Sequence, residues 1–302
     1  MSVAIPNLTG KVAVVTGATG GMGQLIAAVL AQAGAQVVTV ARDPARADAL
    51  RARIGSPAAN RLEVITGDLS RRADVLAAAR LILDRHDQIH ILVNNAGAHF
   101  PDRRVSADGI EMHIALDYLA AYGLTTLLDG PLRRGRARVV NVASDTLNDT
   151  RPITLVGQPR PATLDLTGVD DLAELNPAAG FVPFEAYARA KLMTVTAGYA
   201  LAQKLTADGV TVNALHPGIV ATDIIDDLTP RLLRPFGALI RSRLLTPAQG
   251  AETALRIATD PSLSGVTGRY FNREIETTTP PVSHDPATQQ RLLALSETHY
   301  AG

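Results

Sequence analysis

Apolar positions along the chain follow two rhythms. Short β-branched runs occupy residues 11–16, 36–40, 62–66, 89–93, 138–142 and 210–215, with a further short strand expected near 269–272. Nearly unbroken apolar character of this kind fits strands buried on both faces, as in a parallel sheet. Between them lie stretches whose apolar residues return every three or four positions, the mark of helices. They cover 24–33, a segment opened by Asp43 and Pro44, residues 70–85 with Ser70 as the expected cap, about 109–128, and a segment around Tyr187 with Leu192, Val195, Tyr199 and Leu205 on a broad apolar face. Asp43-Pro44, Thr229-Pro230 and Thr246-Pro247 each read as a cap followed by a proline in the first helical position, and Thr246 to Gln249 has capping-box spacing. Regular alternation of strand and helix predicts an α/β fold, one doubly wound parallel sheet with helices on both faces, in a single domain of 302 residues.

Composition narrows the class. Hydrophobic residues make up 46% and charged residues 19%, with 29 basic against 29 acidic side chains. A formal net charge of zero gives no electrostatic footprint for nucleic acid or an anionic membrane. The absence of cysteine excludes disulfides, thiolate catalysis and cysteine metal sites. Residues 1–10 show no basic region leading into an apolar core, and the apolar stretch 25–41 is interrupted by Gln32, Gly34 and Gln36. Neither a signal peptide nor a membrane span is expected, and a cytoplasmic protein is the default. No histidine pair has metal-ligand spacing, so no metal is expected; His99 and His113 read as packing or surface residues.

The first strand runs into Gly17-Ala-Thr19-Gly-Gly21-Met22-Gly23 and then a helix. Strand, glycine turn and helix form the context of a dinucleotide-phosphate loop: glycines allow a tight turn and close backbone approach, and the helix start offers free N–H groups. At the end of the second strand an acidic residue would suit the ribose of NAD, but the chain has Ala41-Arg42. A guanidinium there suits a 2′-phosphate, which favours NADP(H) over NAD(H). Asp68 and Leu69 follow the third strand, and Asn94-Asn95-Ala96-Gly97 the fourth, where small residues and amides suit close passage of a cofactor. Tyr187 and Lys191 stand four apart, one turn of helix, on one face. The ammonium is expected to draw the phenol below its usual pKa of about 10, making a general acid/base for a carbonyl or alcohol oxygen.

With the glycine turn, Asn94 to Gly97, Ser144, Tyr187/Lys191 and Pro217-Gly218 in that order, the chain resembles the short-chain dehydrogenase/reductase family over about residues 9–272. Ala41-Arg42-Asp43, Gly109-Ile-Glu-Met112, His216 to Thr222 and Thr267 to Phe271 look most like its retinol-dehydrogenase-like and protochlorophyllide-reductase-like branch. The resemblance implies a Rossmann-type fold and an oxidoreductase with nicotinamide cofactor. It implies Tyr187 as proton donor, Lys191 as the residue that lowers its pKa and binds the nicotinamide ribose, and Ser144 as holder of the substrate oxygen. It further implies cofactor contacts from Thr16, Gly17, Thr19, Gly21, Met22, Gly23, Asp68 (adenine), Leu69, Asn94 (adenine ribose region), Ala96, Gly97, Pro217, Gly218, Val220 and Thr222 (the nicotinamide carboxamide). A homodimer or homotetramer built on helices near 109–129 and 186–205 is implied as well.

Two departures from the family pattern stand out. The helix before the fifth strand usually carries an asparagine in a proton relay to the lysine; Asp117 occupies that position. A carboxylate there would pair with Lys191 and raise the tyrosine's pKa relative to the usual site. Second, residues 145–185 form a long proline-containing insertion tethered to Ser144 and Tyr187, read as a partial lid with Phe181, Val182 and Phe184 at the pocket. Residues 219–245 form the other expected substrate wall, apolar through Ile224, Ile225, Leu228, Leu232, Leu233, Phe236, Leu239 and Ile240, with Arg231, Arg234, Arg241 and Arg243 on its other face. The tail 277–302 is either a cap or an oligomer arm. The leading reading is an NADP(H)-dependent carbonyl reductase or alcohol dehydrogenase for a hydrophobic, small-molecule ketone or alcohol. Its rivals are a non-redox enzyme of the same fold (a dehydratase, isomerase or cyclase) and a cofactor-sensing binding protein.

Overall fold

Strand β1 (Val12–Val15) sends alternate side chains to opposite faces, and so do its neighbours. Val14 and Leu92 join one apolar cluster, while Ala13, Val15, Ile91 and Val93 join another on the far side. That two-faced burial explains the unbroken apolar runs of the sequence. The computed structural model describes residues 4–151, 158–220 and 244–301. Among these, β1 is joined by β2 (Gln36–Ala41), β3 (Leu62–Thr66), β4 (Ile91–Asn94), β5 (Arg138–Val142), β6 (Thr211–His216), β7 (Tyr270–Asn272) and β8 (Ile275–Glu276). They form one sheet in the order β3-β2-β1-β4-β5-β6-β7-β8. All pairings are parallel except β7 with β8.

The helices are α1 (Gly21–Gln32), α2 (Pro44–Ile54), α3 (Arg72–Arg85), α4 (Ala120–Leu127), α5 (Asp129–Gly135), α6 (Pro183–Leu205), α7 (Pro247–Thr259) and α8 (Pro286–Ala301). α1, α2 and α7 supply one apolar layer; α3, α4, α6 and α8 supply the other. The fold is therefore Rossmann-like, with strand order reversing between β1 and β4, where a crevice opens at the strands' carboxyl ends. No helix among the described residues is long and apolar enough to cross a membrane.

Several local expectations change. Asp43 caps α2 through the Ala45 N–H, and Thr246 with Gln249 closes a capping box on α7, as the spacing predicts. Ser70 does not cap α3: its N–H and hydroxyl both turn back to Asp68 Oδ1, and Asp108, distant in sequence, accepts the Arg72 N–H at 2.7 Å. The helix expected over 109–128 starts later, because residues 105 and 111 pair as a short bridge around Gly109. It then winds as a π-helical turn, Ile114–Leu119, in which the Ala120 N–H reaches back to Ala115. Thr229-Pro230 lies outside the described residues.

The described parts of the insertion, residues 145–151 and 158–185, are packed on the domain. Ala162, Leu164, Leu166, Leu172 and Leu175 belong to the core. Arg189 of α6 holds Thr163 O, and Arg291 of α8 holds Asp170. The tail acts as a cap on its own chain. Tyr118 meets Ser296 at 2.6 Å, the Tyr300 hydroxyl donates to Leu119 O at 2.8 Å, and Leu292 and Leu295 are buried against the α4 and α6 layer. α8 thus covers the part of that helical face around Tyr118 and Leu119.

Candidate active site

The switch point brings the glycine turn after β1 beside residues 95–97 after β4. Thr16 Oγ1 accepts the N–H groups of Asn95 and Ala96, both at 2.9 Å, and the Asn95 amide returns to Thr16 O at 3.0 Å. Gly17 takes a left-handed φ of +64°, and a Cβ there would meet Asn95 Nδ2 at 2.8 Å and Ala96 Cα at 2.9 Å. Glycine is required by both conformation and space. The first N–H of α1 to find a carbonyl is that of Gln24, on Gly20 O, which leaves those of Gly21, Met22 and Gly23 at the mouth of the turn. A Cβ on Gly20 would meet only open space. Arg42 is exposed just past the end of β2, with no hydrogen-bond or ion-pair partner among the described residues. An open glycine turn, free helix-start N–H groups and an unpaired guanidinium fit the pyrophosphate and 2′-phosphate of a dinucleotide.

Other expected cofactor residues divide. Ala96 and Gly97 lie on this edge, and Thr19 sits half-buried in the turn. The Asn94 amide nitrogen donates to Asn141 Oδ1 at 2.8 Å and Thr125 Oγ1 at 3.1 Å, tying β4 to β5 and α4, while its Oδ1 has no hydrogen-bond partner among the described residues. The Leu69 side chain is core, leaving only its backbone for a ligand. One Asp68 oxygen is held by Ser70. Pro217 and Val220 are buried and Gly218 half-buried after β6, where Val220 bridges Leu245. Thr222 and the apolar and basic residues expected over 224–243 lie outside the described residues.

The chemistry-bearing side chains meet at the ends of β4 and β5 and the first turns of α6. Tyr187 and Lys191 are buried. Ser144, at the end of β5, lies beside the Tyr187 phenol, where its hydroxyl favours the ionised form, and its Oγ accepts the Thr146 N–H at 3.4 Å. Lys191 Nζ lies 5.5 Å from the Tyr187 ring centre, donates to Val142 O at 3.2 Å and pairs with Asp117 Oδ1 at 3.2 Å. That same oxygen accepts the Ala98 N–H at 3.0 Å. The π-helical turn displaces the local hydrogen-bond ladder, and the Asp117 carbonyl takes the Thr194 hydroxyl of α6 at 2.9 Å. Gly97 is the floor of this cluster: a Cβ there would collide with the Asp117 carboxylate and stand 2.9 Å from Lys191 Nζ.

Electrostatics reverse the expectation drawn from spacing alone. Burial pushes the Tyr187 phenol up; Lys191 pulls it down, Asp117 pushes it up, and the balance lies above the ordinary tyrosine value. Burial pulls the Lys191 ammonium down, but Asp117 and Tyr187 outweigh it and hold its pKa above the lysine range. Burial raises the Asp117 carboxyl against the pull of Lys191. Tyr187 therefore keeps its proton at neutral pH as an acid, and Asp117 is one of the reasons.

Two residues read as packing stand in the site. His99 and His113 each lie 5.9 Å from the Tyr187 ring, edge to face. His113 Nε2 accepts the Phe100 N–H at 3.0 Å, so Nδ1 carries the proton and donates to Glu111 Oε1 at 2.8 Å. Glu111 accepts Asn176 Nδ2 at 2.9 Å, and Asn176 accepts Arg189. Phe181 stacks on His113 at 6.4 Å, whereas Val182 is exposed and Phe184 half-buried. Glu111 and His113, polar residues spaced two apart in an apolar helical stretch, were the legible signal of this network.

A family model described as short chain dehydrogenase matches residues 11–154. The chain is 34% identical to retinol dehydrogenase 12 of Bos taurus, covering 96% of this chain and 86% of that protein. It is 33% identical to polyprenol dehydrogenase of Mus musculus, covering 96% and 84%. Among solved structures, 3-ketoacyl-(acyl-carrier-protein) reductase from Brucella melitensis, complexed with NADH, superposes with a TM-score of 0.62 at 28% identity, over 88% of this chain and 96% of that one. The chain belongs to the short-chain dehydrogenase/reductase family, on its retinol-dehydrogenase-like branch, and is an oxidoreductase acting on CH–OH and C=O groups.

Proposed function

We propose that the protein is an NADP(H)-dependent carbonyl reductase or alcohol dehydrogenase for an apolar ketone or alcohol, with Tyr187 as its general acid/base. The observation that carries this reading is the buried Tyr187, beside Ser144 and one helical turn from a Lys191 fixed by Asp117 and Val142 O. A bound nicotinamide supplies the hydride chemistry. Tyr187 gives its proton to the substrate oxygen in reduction and takes it back in oxidation. The Ser144 hydroxyl donates to the same oxygen and stabilises the charge developing there. Lys191 contributes a positive charge that eases the phenol's loss of its proton.

Arg42, following a β2 that ends in Ala41 rather than an acidic residue, supports NADP(H) over NAD(H). The names of the retinol and polyprenol dehydrogenases support a long apolar alcohol or its carbonyl. α8 packed against Tyr118 and Leu119 supports an assembly that leaves this part of the surface uncovered by a second copy. The test is turnover of a panel of apolar and small polar ketones with NADPH and with NADH. Oxidation of NADPH that favours the apolar ketones supports the reading; preference for small polar ketones, or for NADH, counts against it.

A further inference from the structure

His99 is enclosed, with 6% of its surface exposed, yet among the described residues neither ring nitrogen has a hydrogen-bond partner. A neutral imidazole carries one N–H donor and one acceptor whichever tautomer it adopts. Leaving both unmet in a buried place is unfavourable, and folds rarely tolerate it without a reason. The neighbouring ring cannot supply the bond: His113 lies 5.6 Å away and both its nitrogens are already engaged, one with Phe100 and one with Glu111. Nor is His99 loosely placed. Its ring packs against both His113 and Tyr187, which also touch each other, and His113 is fixed through Glu111 to Asn176 and on to Arg189. A rigid frame therefore holds a polar ring against the residue that meets the substrate oxygen, and leaves that ring's hydrogen-bonding capacity unspent.

We infer that His99 is a specificity-determining residue that hydrogen-bonds a second, neutral oxygen function of the substrate, a hydroxyl or carbonyl on a carbon near the reacting one. This rests on Tyr187 serving as acid/base for the first oxygen. The ring stays neutral near pH 7, because burial and His113 hold it down at about 4. A neutral donor–acceptor suits a hydroxyl or ketone oxygen better than a carboxylate or phosphate. The substrate is then an apolar body whose reacting end carries two oxygens, such as a hydroxyketone, rather than an isolated ketone.

The test compares an apolar ketone with its α-hydroxyketone and its 1,3-diketone, as kcat/KM with NADPH, for the wild type, His99→Phe and His99→Gln. The wild type is expected to prefer an oxygen-bearing congener by on the order of tenfold or more, the scale on which a polar site rejects a substrate lacking its partner group. His99→Phe should bring that ratio close to one, and His99→Gln, which keeps a donor and an acceptor, should restore part of it. Circular dichroism and NADPH affinity of both variants show whether the frame survives. A wild-type ratio near one, or a ratio unchanged in folded His99→Phe, overturns the assignment. If the wild type binds NADPH but reduces none of the three ketones, the reading of Tyr187 fails and the role of His99 falls with it.

Discussion

Replacing Asp117 with asparagine removes one negative charge beside Tyr187 while keeping the side chain's shape. Lys191 Nζ is 5.5 Å from the Tyr187 ring centre and 3.2 Å from Asp117 Oδ1. The carboxylate oxygen is thus within about 9 Å of the ring, where a unit charge at an effective dielectric of about 20 is worth about 2 kcal/mol, or roughly 1.4 pKa units. Burial and Asp117 both push the phenol up, against Lys191. Loss of the carboxylate therefore lowers the pKa of Tyr187, provided Lys191 keeps its proton, which Val142 O and the new amide carbonyl both favour. The assay is the pH dependence of kcat/KM for alcohol oxidation, which rises as Tyr187 becomes the base. In Asp117→Asn that rising limb moves to lower pH by about one unit or more. A buried ammonium deprived of its partner costs about 3–5 kcal/mol, which lowers Tm by on the order of 10 °C. A limb that stays in place, or moves to higher pH, refutes the electrostatic reasoning.

Three further outcomes are expected. Arg42→Ala should weaken NADPH binding roughly 10- to 100-fold, the worth of a charge-assisted contact, with little change for NADH; equal losses for both cofactors would remove Arg42 from the 2′-phosphate. Gly97→Ala should drive a methyl into the Asp117–Lys191 pair and destabilise the fold by more than about 1 kcal/mol, read by denaturant titration, and wild-type stability would show that the floor is not tight. His99 titrates at about 4 in the fold against 6.5 when unperturbed, so between those values the unfolded chain binds more protons. Its contribution is complete above about pH 6.5 and is lost toward about pH 4, at up to about 1.4 kcal/mol per pH unit, and His99→Phe should flatten that part of the stability curve.

What the sequence made legible, and what it hid, follows from the range of each interaction. β3 and β5 fall on residues 62–66 and 138–142 as predicted, because a β-branched run buried on both faces is a local signal. The caps at Asp43 and Thr246 are local too. The π-helical turn at Ile114–Leu119 was hidden, since one extra residue in a turn barely alters an apolar period. Ser70 failed as a cap because Asp108, far along the chain, takes that place. Spacing showed that Tyr187 and Lys191 share a face, but not that burial and Asp117 reverse the lysine's effect on the phenol. The role of the histidines beside Tyr187 was missed because their meaning lies in who surrounds them: among the described residues one has both nitrogens engaged and the other neither. The role of the tail was equally non-local, resting on Tyr118–Ser296 and Tyr300–Leu119 contacts between distant parts of the chain.

The most direct measurement is single-turnover reduction of an apolar ketone by NADPH in the wild type and in Tyr187→Phe, with NADPH affinity determined alongside. Removing one hydroxyl leaves the ring contacts with His99 and His113 available. Cofactor binding within about threefold of wild type, with turnover reduced by about 100-fold or more, is the predicted result for a lost general acid. Tyr187→Phe that reduces the ketone at the wild-type rate would contradict the assignment of Tyr187 as the acid/base.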